Sequence, residues 1–128
     1  MRLLVDTHAL LWAMDDPTQL GDVARAALQD PRNELLVSAA TVWELSIKVG
    51  LGKLVLALPL RQWLETTVAE LALEIVPISI AYAERQADLP AHHRDPFDRL
   101  IIAQALVEGF PVVGADEVFD AYGVSRIW

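Results

Sequence analysis

Short apolar runs alternate with longer stretches in which apolar positions recur every three or four residues. Arg2-Leu3-Leu4-Val5 is the first short run, ended by Asp6. Glu34-Leu35-Leu36-Val37, Leu73-Glu74-Ile75-Val76 and Val112-Val113 follow, and Ser125-Arg126-Ile127-Trp128 is a short fifth. Runs such as Leu3-Leu4-Val5 read as strands buried on both faces, which belong to parallel sheets.

The stretches between them carry helical periodicity and punctuation. Asp6 or Thr7 can cap a helix through Leu10, Leu11 and Met14, ended by Asp15-Asp16-Pro17. Leu20 to Leu28 reads as a second helix, before the turn Asp30-Pro31-Arg32-Asn33. Ser38 to Thr41 opens a third, running to about Val49, with Val42, Trp43, Leu45, Ile47 and Val49 expected on its inner side. Gly50 and Gly52 stop it. After Pro59, the residues Leu60, Trp63, Leu64, Thr67, Val68 and Leu71 mark an amphipathic helix. Ser79 caps a helix from Ile80 to Ala87, Pro96 starts one that Gly109 stops, and Glu117 to Tyr122 forms a helical turn. Strands alternating with helices predict one three-layer α/β/α domain over residues 1–128, with a mainly parallel sheet of four to five strands.

Composition narrows the chemistry. The chain has 128 residues and is 54% hydrophobic, enough for a sizeable core. It has no cysteine, which excludes disulfides and thiolate metal sites and fits a cytosolic protein. Asp6 interrupts the first apolar run, so no signal-peptide core is read there. No apolar run approaches the ~20 residues of a membrane helix. The expectation is a cytoplasmic protein without membrane contact. A net charge of −8 argues against a simple nucleic-acid-binding module, whose affinity comes from cations on phosphate. It leaves room for an enzyme that reaches phosphate through bound cations. Taken alone, the charge is explained by solubility.

The acids are placed unevenly. Ligands of open α/β sheets sit outside the carboxyl ends of the strands. Asp6 ends the first strand, Glu44 lies on the helix after the second, Asp95 and Asp98 open the helix before the fourth, and Asp116 follows the fourth. Singly, each has a local explanation. Asp6 and Asp116 serve as caps, Glu44 pairs with Lys48 four residues on, and Asp95 caps a helix with Pro96 at its first position and Asp98 against its dipole. Jointly, they place several carboxylates in one cleft, which would repel unless a cation sits among them. Mg²⁺ or Mn²⁺ suits oxygen ligands. With no thiol and no His-x-x-x-His pair, zinc is a weak alternative. His8, His92 and His93 are not required as bases beside such a cation, and His92 and His93 could contact phosphate or act as structural hydrogen-bonders. Arg94 and Arg99 flank the acids, and Arg99 is assigned a structural role. Trp12, Trp43 and Trp63 are read as core or interface, not as stacking platforms.

Four stretches carry a family resemblance. Leu4-Val5-Asp6-Thr7-His8-Ala9-Leu10-Leu11-Trp12 and Val37-Ser38-Ala39-Ala40-Thr41-Val42-Trp43-Glu44-Leu45 resemble the opening half of PIN-domain ribonucleases. His93-Arg94-Asp95-Pro96-Phe97-Asp98-Arg99-Leu100-Ile101-Ile102-Ala103 resembles their third motif, and Asp116 to Val124 their fourth. Within that family the pattern is most similar to VapC-type toxins of bacterial type II toxin–antitoxin pairs. The resemblance implies a PIN-like fold and Mg²⁺- or Mn²⁺-dependent hydrolysis of RNA. It puts the acids of the site on Asp6, Glu44, Asp98 and Asp116, with Thr7 beside Asp6 and Asp95 as an extra carboxylate. It also implies an inhibitory antitoxin, with a groove supplied by the Leu60–Leu71 helix and the helix around Trp43, and a homodimer. One position departs from the pattern: Gly114 stands where the family often carries Thr or Ser. Two alternatives remain, an inactive PIN-fold interaction domain and a receiver-type Mg²⁺-binding signalling domain. The receiver would need an acceptor Asp where Pro77 stands and a Lys near the last strand, whereas the only lysines are Lys48 and Lys53.

Overall fold

The computed structural model describes residues 1–128. Its strands are β1 (Arg2–Val5), β2 (Glu34–Ser38), β3 (Glu74–Val76), β4 (Val112–Val113) and β5 (Arg126–Ile127). They form one sheet in the order β3-β2-β1-β4-β5, with every pair parallel. The expected α/β/α architecture is present, and the sheet is wholly rather than mainly parallel. The helices are α1 (Thr7–Asp15), α2 (Asp22–Gln29), α3 (Ala39–Gly50), α4 (Leu60–Glu70), α5 (Ile80–Ala87), α6 (Pro96–Glu108) and the short α7 (Val118–Ala121).

β1 sits at the centre, and Leu3, Leu4 and Val5 are fully buried. Successive side chains of a strand point to opposite faces. Leu3 and Val5 therefore pack with Leu10, Leu35, Val37, Leu45, Trp63 and Val113 on one face. Leu4 packs with Leu36, Val112, Ile101, Ile102 and Phe119 on the other. No helix is long and apolar enough to cross a membrane.

The punctuation works as the sequence suggests. Ser79 accepts from the Tyr82 amide, and Asp95 accepts from the Phe97 and Asp98 amides with Pro96 at the first helical position. A cap of this kind contributes about 1 kcal/mol. Gly109 ends α6 in the left-handed region at φ 73°, where a Cβ would be strained. Trp43 is a correction: it was expected inside but is 61% exposed. The inner face of α3 is taken by Ala40, Thr41, Glu44 and Leu45, two of them polar, and Trp43 falls on the opposite side.

In the order β3-β2-β1-β4-β5 the chain leaves β1 toward one edge and later returns to its other side at β4. The carboxyl ends of β1 and β4 thus flank the switch point, where α/β sheets open a crevice. Asp6 follows β1 and Asp116 follows β4.

Candidate metal-dependent active site

Asp6 is buried at the start of α1, and its Oδ1 accepts from the Ala9 amide at 2.7 Å. Asp6, rather than Thr7, is the cap. Burial pushes the Asp6 carboxyl up to about 7. The Ala9 amide opposes that rise, while the charges of Asp98, Asp116 and Glu44 add to it. The four acids from separate segments therefore act on one another electrostatically.

Thr7 faces sideways from the first turn of α1. Its hydroxyl donates to Glu44 Oε1 at 2.7 Å and lies 3.1 Å from the Thr41 hydroxyl. Lys48 Nζ donates to Glu44 Oε2 at 2.7 Å. The expected Glu44–Lys48 pair exists, but it is not a surface pair, because Glu44 is only 3% exposed. A hydroxyl and an ammonium hold this carboxylate in a fixed orientation.

α6 supplies the third acid. Asp95 spends its carboxylate on the helix start, and Asp98 projects from the first turn. His93 Nε2 lies 2.8 Å from Asp98 Oδ2. The Arg94 amide donates into His93 Nδ1 at 3.0 Å, which makes that nitrogen the acceptor and leaves the proton on Nε2, pointing at Asp98. Burial raises the Asp98 carboxyl and Asp95 adds to the rise, while the His93 hydrogen bond opposes it. His93, Asp98 and Asp116 place ligand-type atoms within 4.8 Å of one another. Both ring nitrogens of His93 are engaged, so its role in that trio is to hold Asp98.

The connector before α6 is strapped down. Arg99 donates to the carbonyls of Gln86, Leu89, Pro90 and His93. The Tyr122 hydroxyl donates to Pro90 O at 2.7 Å and accepts from the His93 amide at 2.9 Å. Arg99 is structural, as expected from its place on the helix.

Asp116 is exposed on the loop after β4, and its Oδ1 accepts from the Val118 amide at 2.9 Å. Two residues earlier, Gly114 passes directly beneath Asp6. A Cβ there would stand 2.6 Å from Asp6 Oδ2 and 2.9 Å from its Cγ. The missing side chain at 114 therefore leaves room for the Asp6 carboxylate.

Of the candidate residues, Asp6, Asp98 and Asp116 converge, Glu44 is buried behind them on Thr7 and Lys48, and Asp95 turns to its own helix. His93 takes the second of the two roles the sequence left open for it, that of a structural hydrogen-bonder, and its partner Asp98 is what the sequence did not show. The only available signal was its place five residues before Asp98, and that pairing depends on the strapped turn. A donor set made of carboxylate oxygens, two of them raised by burial, fits a hard divalent cation.

A sheet of this order with acids at its switch point defines a PIN-type domain. The PIN domain family model matches residues 3–124, and the chain belongs to that family. It is 30% identical over 115 residues to Ribonuclease VapC22 of Mycobacterium tuberculosis, covering 89% of this chain and 86% of that protein. Two solved structures share the fold. VapBC2 from Rickettsia felis, bound to a DNA fragment from its promoter, superposes with a TM-score of 0.72 at 16% identity, over 100% of both chains. FitAcB from Neisseria gonorrhoeae gives 0.63 at 20% identity, over 97% of this chain and 95% of that one.

Proposed function

We propose that the protein is a Mg²⁺- or Mn²⁺-dependent ribonuclease of the VapC type, the toxin of a toxin–antitoxin pair, acting in the cytoplasm. The observation that carries this is the convergence of acids on Asp6, whose buried carboxyl is held up to about 7 by its surroundings. Folding has gathered negative charge that a cation would relieve. The 30% identity to a named ribonuclease supports RNA as substrate.

Asp6, Asp98 and Asp116 would hold the cation. When bound, it supplies an acidified water and neutralises charge developing on the scissile phosphate. Glu44 keeps a fixed carboxylate beside that place, because Thr7 and Lys48 each occupy one of its oxygens. From that fixed position Glu44 would complete the site or orient the attacking water. His93 fixes the rotamer of Asp98, and Asp95 fixes the helix that carries it.

Two partners go with this function. An antitoxin segment fits the apolar groove of about 350 Å³ between α3 and α4, lined by Leu10, Val42, Leu45, Leu64, Val68 and Ile75. The complexes among the structural neighbours support such a partner. A homodimer is supported by exposed Trp43, which meets Phe97 edge-on at 5.5 Å beside the acidic centre.

The test is RNA cleavage by purified protein with Mg²⁺ or Mn²⁺, against Asp98→Asn and Asp116→Asn. Each variant is expected to lose at least about 100-fold in kcat/KM, the scale of losing an electrostatic stabiliser. Equal cleavage by wild type and variants would overturn the site, and binding without cleavage would favour the inactive interaction domain.

A further inference from the structure

A second surface adjoins the acidic centre. On α1, His8 and Trp12 are one turn apart, with ring centroids separated by 5.6 Å. Trp12 in turn lies 5.6 Å from the Trp128 ring, so it is wedged between two aromatic neighbours. His8 is exposed and Trp12 half-buried. Trp12 is thus neither core nor free.

Two hollows share these rings. One, of about 290 Å³, is lined by Asp6, His8, Trp12, Ala115 and Asp116. The other, of about 410 Å³, is lined in part by His8, Trp12, Asp15, Asp16, Lys48 and Lys53. A path therefore runs from the acids, across His8 and Trp12, to Lys48 and Lys53. These are the only two lysines in a chain of net charge −8. Lys53 is exposed and takes part in none of the ion pairs. The two carboxylates of this hollow are already engaged. Asp15 accepts from the Trp63 indole N–H and the Ala57 amide, and Asp16 from Thr18 and Gln19.

We propose that His8, Trp12, Lys48 and Lys53 form a nucleotide subsite beside the acidic centre. One base of a single-stranded RNA stacks on the α1 rings, and Lys53 holds its phosphate, with Lys48, whose ammonium also donates to Glu44, beside it. The proposal rests on the ribonuclease reading for its substrate. Aromatic stacking next to a cation is how single strands are held without reading sequence, because every base presents a π-face. A ring already fixed by its neighbours loses little freedom on binding.

The experiment uses the full chain and a short single-stranded oligoribonucleotide of mixed sequence. Binding is followed by fluorescence anisotropy in an Asp98→Asn background without metal, and cleavage is followed in the wild-type background with Mn²⁺. Trp12→Leu and Lys53→Ala are each expected to weaken binding on the order of 10-fold, and Trp12→Phe to recover most of the loss. Lys53→Ala is expected to reduce the salt slope of binding by about one. Lys53 is an exposed loop residue, so its variant tests the proposal even if Trp12→Leu fails to fold. Unchanged binding in Lys53→Ala, or no binding by the parent, overturns the subsite. Variant-sensitive binding in a protein that never cleaves RNA supports the subsite and overturns the ribonuclease reading instead.

Discussion

Gly114 and Asp6 fit each other by exclusion. The carboxylate of Asp6 fills the space that a side chain at 114 would need, with Oδ2 2.6 Å from the Cβ position. No native Cβ tolerates that distance, so Gly114→Ala or Gly114→Ser must swing Asp6 away. Both variants are expected to weaken divalent-cation binding and to lower RNA cleavage at least about 10-fold, since a small misplacement at a reacting centre costs about that or more. Calorimetric titration with Mn²⁺ reads the first effect. A Gly114→Ser protein that binds the cation as wild type does would show that Asp6 has another productive rotamer.

The metal-free protein should lose stability as pH rises. The Asp6 carboxyl ionises at about 7 in the fold, against its ordinary 3.8. Between those values the unfolded chain has released a proton that the folded chain keeps. The stability that Asp6 contributes is therefore greatest below the ordinary value, falls through the interval and levels off above about 7. Melting temperatures across that range in the presence of a chelator measure the slope. Asp6→Asn, which retains an acceptor for the Ala9 amide, should flatten it. Added Mg²⁺ or Mn²⁺ should stabilise the wild type most at the alkaline end.

Thr7 should matter more than a threonine beside an acid suggests. Its hydroxyl is one of two groups fixing the buried Glu44 carboxylate. Thr7→Val keeps the shape but leaves Glu44 Oε1 without its donor. A loss of about 2 kcal/mol in urea unfolding is expected, with a fall in kcat larger than any change in KM. A variant as stable as the wild type would place water at Glu44.

Gln104 points the other way. It is fully buried, its Nε2 makes only a long 3.4 Å hydrogen bond to Pro77 O, and its Oε1 has no partner. Gln104→Leu removes an unpaired acceptor and is expected to raise stability by about 1 kcal/mol, seen as a higher denaturant midpoint with unchanged slope.

Trp43 carries the prediction about assembly. If its exposed ring is the dimer contact, Trp43→Glu shifts the protein to monomer in light scattering while leaving the melting temperature nearly unchanged. A dimer that survives the substitution puts the contact elsewhere.

The fold was legible because its signals are local. Buried strands such as Leu3-Leu4-Val5, the caps at Ser79 and Asp95-Pro96, and the stop at Gly109 each depend on a few neighbouring residues. The placement of Asp6 and Asp116 beside one crevice followed from strand order. Trp43 was misplaced because hydrophobic periodicity assumes an apolar inner face, and α3 turns Thr41 and Glu44 inward to serve Thr7. Trp12 was read only as core or interface, because helical spacing does not say how much of a ring stays uncovered. The partner of His93 was not legible because its bond to Asp98 needs the turn that Arg99 and Tyr122 tie from distant parts of the chain.

That tie has a consequence for the order of events during synthesis. Asp6 follows the first strand of the sheet, yet its set of acid neighbours is complete only when β4 docks beside β1, and the loop carrying His93 needs Tyr122 as well as Arg99 to be tied. A nascent chain short of Tyr122 holds its acids on unconnected pieces. The centre thus assembles only after the chain through Tyr122 is made, which gives the growing chain a built-in delay before it can act on any strand nearby.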